Sequence, residues 1–181
     1  VAATSAPSGA KSRCRVMTML RRPGSGLRGR LSHGIYLDDF ANQVTVRDNW
    51  VSDNPGGMQL HDAFNNLIAG NRFSRSSREH LLFNETAPWS SMNGNQVVNN
   101  RFDLANEVPA YRLWSHHGGA HLRRFALFGN NRYVGKSRRF AQLEGSGWLD
   151  ASAWREHMGE IDPSFSAPAA LPKLARQPAQ K

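Results

Sequence analysis

Apolar and polar residues recur along this chain in two short patterns. The first is an apolar residue, two others, Asn, one other, and a second apolar residue. It runs as Val46, Asn49, Val51; as Ile68, Asn71, Phe73; as Val97, Asn100, Phe102; and as Phe128, Asn131, Tyr133. The second pattern precedes each of these. It places apolar residues at Ile35 and Leu37, Met58 and Leu60, Leu81 and Phe83, Tyr111 and Leu113. Alternation with period two marks a strand buried on one face. The four asparagines lie 22, 29 and 31 residues apart. A repeat of that length, holding several short strands, predicts a solenoid.

One such coil cannot bury its own apolar face, but stacked coils can. Each strand then pairs with its equivalents above and below, about 4.8 Å away. Val46, Ile68, Val97 and Phe128 form one expected apolar column, and Val51, Phe73, Phe102 and Tyr133 another. The asparagines fall at a turn, where Asn tolerates unusual backbone angles and bonds locally. Stacked side-chain amides can also bond along the column. The third and fourth coils are longer, through extra residues in 84–95 and 115–122, and solenoid insertions tend to carry function. After the last coil, Asp150 or Ser152 can cap a short helix carrying Trp154 and Met158 and ending at Gly159. That helix suits a cover over the open end of the stack.

Composition changes this picture mainly at the ends. The chain has 181 residues and a net charge of +9. Seven basic residues and no acid lie within 1–31, while the interval 32–162 is nearly neutral. Charge confined to tails, with no basic face interleaved with aromatics, argues against specific nucleic-acid binding. The expected organisation is a basic disordered arm (1–31), coils (32–147), a cap (148–162) and a Pro/Ala-rich disordered tail (163–181). The single cysteine, Cys14, excludes an internal disulfide. No apolar run is long enough to span a membrane or to form a signal peptide. No cap precedes Leu31. The sequence therefore reads as the C-terminal part of a longer solenoid, or as one whose open edge a partner or oligomer covers.

The strings HGIYLDD, NQVTVRDN, GGMQLHD and NNLIAGNRF resemble coils of the pectate-lyase-like superfamily, across about residues 32–145. The resemblance implies an all-β fold: a right-handed parallel β-helix of four to five coils with a short C-terminal capping helix. It also implies activity on an acidic polysaccharide, as in lyases, glycoside hydrolases and C5-epimerases, in a secreted, periplasmic or cell-surface setting. Some similar proteins use the coil only for binding or structure.

Candidate chemistry lies on the outward face of the first strand of each coil. Alternation gives three columns: Tyr36, Gln59, Leu82, Arg112; then Asp38, His61, Asn84, Trp114; then Asp39, Asp62, Glu85, Ser115. Stacked carboxylates at Asp39, Asp62 and Glu85 repel unless protonated, paired or bound to a cation. They read as a Ca²⁺ site, as acids for glycoside hydrolysis, or as plain solvated turn residues. His61 is the candidate base for proton abstraction at C5 of a uronic acid. Tyr36 would be the proton donor from the other side of the ring, Asp38 a further catalytic candidate beside His61, and Arg112 the carboxylate binder. Gln59, Asn84, Trp89, Trp114 and His116 are candidates to contact sugar. His116, His117 and His121 match no named zinc spacing. The DPHD string of the C5-epimerases is absent, since Asp162-Pro163 lacks the His-Asp that follows. A non-catalytic glycan-binding surface, or an inactive fragment of a larger enzyme, is the alternative reading.

Overall fold

The computed structural model describes residues 2–3, 13–14 and 32–167. The chain visits three sheets in turn on every coil. Numbered in chain order, the first sheet holds β1 (Ala2–Ala3), β3 (His33–Leu37), β6 (Gly56–His61), β9 (Glu79–Glu85), β12 (Tyr111–Ser115), β15 (Ala141–Leu143) and β16 (Gly147–Leu149). The second holds β2 (Arg13–Cys14), β4 (Thr45–Arg47), β7 (Leu67–Ala69), β10 (Asn95–Val98) and β13 (Ala126–Gly129). The third holds β5 (Trp50–Ser52), β8 (Arg72–Ser74), β11 (Arg101–Asp103), β14 (Arg132–Val134) and β17 (Ser164–Ser166). All pairings are parallel except the β15–β16 hairpin, which ends the first sheet. Strands that return to the same three sheets at every turn make a parallel β-helix.

The apolar columns stack as the repeat requires. Ile35, Met58, Leu81 and Tyr111 stand in register, as do Val46, Ile68, Val97 and Phe128. All are buried. In the third sheet Phe73, Phe102 and Tyr133 stack ring on ring, 5.1 and 5.4 Å between centroids. Phe165 continues the stack at 5.1 Å.

The asparagine column is continuous. Asn49 Nδ2 donates to Asn71 Oδ1 (2.9 Å), Asn71 Nδ2 to Asn100 Oδ1 (3.0 Å) and Asn100 Nδ2 to Asn131 Oδ1 (3.2 Å). Each Oδ1 also accepts the backbone N–H of the preceding asparagine. A shorter second column joins Asn66 to Asn95 at the corner before the second sheet. These amides satisfy backbone groups that the turns leave unpaired in the interior.

The capping helix α1 spans Ala151–Met158. Of the two candidate caps, Asp150 serves: its side chain accepts from Ala153 N at 2.9 Å. Gly159 closes the helix with φ 66°, the left-handed conformation that suits glycine. Trp154 is fully buried and lies flat on Tyr111, 4.5 Å between centroids, and edge-on to Phe128 at 4.9 Å.

Two expectations about the ends are corrected. The arm contributes strands: β1 pairs with β3 and β2 with β4. The rest of 1–31 lies outside the described residues. The tail does not begin at 163, because Ser164–Ser166 pairs with β14 and adds a rung to the third sheet. Only 168–181 of that expectation lies outside the described residues.

Candidate functional site

Register places the outward residues of the first sheet side by side. Tyr36, Gln59, Leu82 and Arg112 form one row across the rungs. His61, Asn84 and Trp114 form the next. Asp38 and Asp39 follow directly on the end of β3. Trp114 is 39% exposed, and it shares a cleft of about 110 Å³ with Leu82, Arg112, Gln142 and Glu144. Trp89 and His116 are exposed on the two inserted loops, apart from these rows. His116 lies edge-on to His117, and His117 stacks on His121 at 4.8 Å.

His61 is the centre of the polar set. Its Nδ1 lies 2.9 Å from Asp39 Oδ1, 3.0 Å from Tyr36 Oη and 3.3 Å from Asp38 Oδ1. Its Nε2 lies 2.8 Å from Thr86 Oγ1, and that hydroxyl donates to Asp62 Oδ2 at 2.8 Å. Burial raises the Tyr36 pKa above its ordinary value, and the hydrogen bond to Asp38 and the charges of Asp38, Asp39 and Asp62 add to the shift. The phenol therefore stays protonated at neutral pH. The Asp38 carboxyl is held below its ordinary range, first by the Asp39 backbone N–H and then by His61 and Tyr36. Thr86 was not among the sequence candidates. It lies past the end of β9, where the alternation that located the other residues stops.

The expected triad of Asp39, Asp62 and Glu85 does not assemble. Asp62 has φ 46° just past the end of β6, and its side chain lies in phase with the inward Met58 and Leu60. It is buried, accepting from Thr86 N (2.9 Å), Thr86 Oγ1 and Ala87 N. Glu85 is buried too, accepting from Met92 N at 2.7 Å and from the Ser115 hydroxyl. Both carboxylates hold the inserted loops in place by charge-assisted bonds to backbone and hydroxyl donors. Among the described residues, the group that could share a metal ion is instead Asp38, Asp39 and His61. Two carboxylates and an imidazole nitrogen do not fit Ca²⁺, which takes six to eight oxygens.

Arg112 is also committed elsewhere. Its Nη1 lies 3.3 Å from Glu79 Oε2. Glu79 is 1% exposed, and its Oε1 meets His33 Nε2 and Arg78 Nη2, each at 3.1 Å. Gly56 makes this possible. A Cβ there would sit 2.2 Å from His33 Cδ2 and 2.7 Å from Glu79 Oε1. Glu79 was missed because it opens its strand among polar residues, Ser77, Arg78 and His80, ahead of the apolar alternation.

Three parallel sheets, stacked asparagines and a helical lid define a parallel β-helix protein. The family described as "Right handed beta helix region" matches residues 14–123, more than half the chain, and this chain belongs to that family. No curated protein and no solved structure matches it. No helix among the described residues is long and apolar enough to cross a membrane.

Proposed function

We propose that this is a carbohydrate-active β-helix protein whose substrate lies along the outer face of the first sheet, with His61 and its carboxylates as the acid–base centre. The observation that carries this reading is the hydrogen-bonded set of Tyr36, Asp38, Asp39, His61 and Thr86. A solvated turn has no need of an imidazole fixed at both nitrogens between a phenol and two carboxylates.

The chemistry is of the polysaccharide lyase or C5-epimerase type on an acidic polysaccharide. There a base removes the C5 proton of a uronic acid. Thr86 donates to Asp62, so it accepts from His61 Nε2–H. Asp39 and Asp38 lie against Nδ1 and stabilise a proton taken up there. Tyr36, 3.0 Å from the same nitrogen, stands on the same side as the base, where in an elimination it gives its proton to the departing glycosidic oxygen and recovers one from His61. Trp114 and Leu82 offer an apolar platform for a sugar ring. Arg112 stands two rungs from His61, roughly 10 Å, and pairs with Glu79, so it does not bind the carboxylate of the sugar that reacts. Such polymers lie in the envelope or outside the cell, and the protein is expected there.

A non-catalytic glycan-binding surface is the second reading, and one observation favours it. Among the described residues no cation faces Asp38, Asp39 and His61 to stabilise an enolate-like intermediate. Incubation with alginate or pectate separates the two. Elimination raises the ultraviolet absorbance of the unsaturated uronate; epimerisation exchanges C5 protons with solvent without it. His61→Ala should abolish either signal. Turnover that survives in His61→Ala removes His61 as the base, and retention of glycan without turnover establishes the second reading.

A further inference from the structure

The outer face of the third sheet carries a column that the first-sheet reading does not use. The repeat places arginine after each of three ladder asparagines: Asn71-Arg72, Asn100-Arg101 and Asn131-Arg132. Register puts Arg72, Arg101 and Arg132 directly beside one another on successive rungs, about 4.8 Å apart. The strand position does not demand arginine, since Trp50 and Ser164 fill it on the first and last rungs. Like charges stacked in adjacent strands disfavour folding. Asp103 offsets part of this by pairing with Arg72 and Arg101, each at 2.9 Å. Arg132 is exposed and has no ion pair among the described residues. At the N-terminal end of the column, Arg72 and Arg75 lie over the Trp50 ring, 5.4 and 6.0 Å from its centroid. Arg75 is paired with Asp53. Among the described residues, four guanidiniums thus face two carboxylates along one strip.

We infer that this strip is a binding surface for a linear anionic polysaccharide lying parallel to the solenoid axis. A rung spacing of about 4.8 Å is close to the advance of one linked pyranose, so successive arginines can meet acidic groups along the chain. Guanidiniums suit carboxylate and sulfate through paired N–H donors. Nucleic acid fits less well. The one aromatic of the column is already covered by two arginines, and none stands between the others to stack a base.

The test is calorimetric titration of the full chain with an oligouronate of about four sugars, without any measure of turnover. Its outcome is therefore independent of His61. Arg132→Ser has no partner to orphan and should weaken binding roughly tenfold. Arg101→Ser combined with it should weaken binding further and reduce the salt dependence. Arg124→Ser removes the same charge from the turn before β13 and should leave affinity unchanged. Equal weakening by Arg124→Ser would overturn the proposal in favour of general charge attraction. So would unchanged affinity in the double variant with its melting profile intact. Single-stranded DNA binding more tightly than the oligouronate, and lost with the same variants, would assign the strip to nucleic acid instead.

Discussion

Glu79 on the first sheet and Glu160 under the capping helix are both buried, at 1% and 6% exposure, yet they titrate in opposite directions. Burial pushes Glu79 up, but the His33 hydrogen bond and the charges of Arg78 and Arg112 outweigh it, and its pKa falls. Burial also pushes Glu160 up. There the hydrogen bonds from Tyr133, Asn131 and Trp154 only soften the shift, and its pKa rises. Glu160 accepts at 2.7 Å from Tyr133, 3.0 Å from Asn131 and 2.8 Å from Trp154. Neutral donors satisfy a carboxylate without making its charge cheap to bury, whereas guanidiniums facing it do both. The same residue type therefore locks a charged cluster in one place and ends a column of amides in the other.

The largest effect is expected at Glu79. Glu79→Gln leaves Arg78 and Arg112 beside an uncharged partner and should cost about 3–4 kcal/mol in a urea melt. A loss below about 1 kcal/mol would mean that water already screens the cluster. His80, next in sequence, separates the acid effects. Burial pushes its pKa down to about 4. A base with a depressed folded pKa contributes stability above its ordinary value of 6.5 that is lost as pH falls towards 4, about 3 kcal/mol in all. Glu79 acts in the same sense but lower, below its ordinary 4.5. The melting temperature should thus fall between pH 6.5 and 4 in the native chain and in Glu79→Gln, but not in His80→Gln.

Gly56→Ala tests the contact itself. The new methyl forces His33 and Glu79 apart and should cost about 2 kcal/mol, with Arg78 and Arg112 unchanged in sequence. The smallest effect belongs to the cap. Glu160→Gln leaves one of three donors without an acceptor and should cost about 1 kcal/mol at acid pH. A raised folded pKa means that the contribution of Glu160 is full below its ordinary 4.5 and declines as pH rises through the folded value. The deficit of the variant should therefore shrink, or reverse, on going from pH 4 to 8. A deficit that grows with pH would show that Glu160 is charged and stabilised by its donors.

What was legible in the sequence follows from which positions repeat. Inward residues must meet their equivalents on the next rung, so Val46, Ile68, Val97 and Phe128 announce themselves, as do the ladder asparagines. Repetition also fixed the rows of Tyr36 and His61. It stops where the chain leaves a strand. Thr86 reaches His61 from beyond β9, where alternation ends, whereas Glu85 is buried in phase with Leu81 and Phe83, and Asp62 with Met58 and Leu60, so alternation itself assigns both carboxylates to the interior. The strand Ser164–Ser166 has three residues and no asparagine turn before it, so only its pairing with β14 reveals it. Arg112 was located by row, but its partner Glu79 lies three residues along the neighbouring strand, a displacement that no column shows.

Every amide in the asparagine ladder points the same way, N–H towards the C-terminal end and C=O towards the N-terminal end. Aligned dipoles add. The solenoid is therefore electrically polar along its axis. Its positive pole is at Asn131, where the Glu160 carboxylate sits. Its negative pole is at Asn49, whose Oδ1 is buried and receives no hydrogen bond among the described residues. The two ends of the stack are thus unlike terminals: one calls for an acceptor over it and the other for a donor.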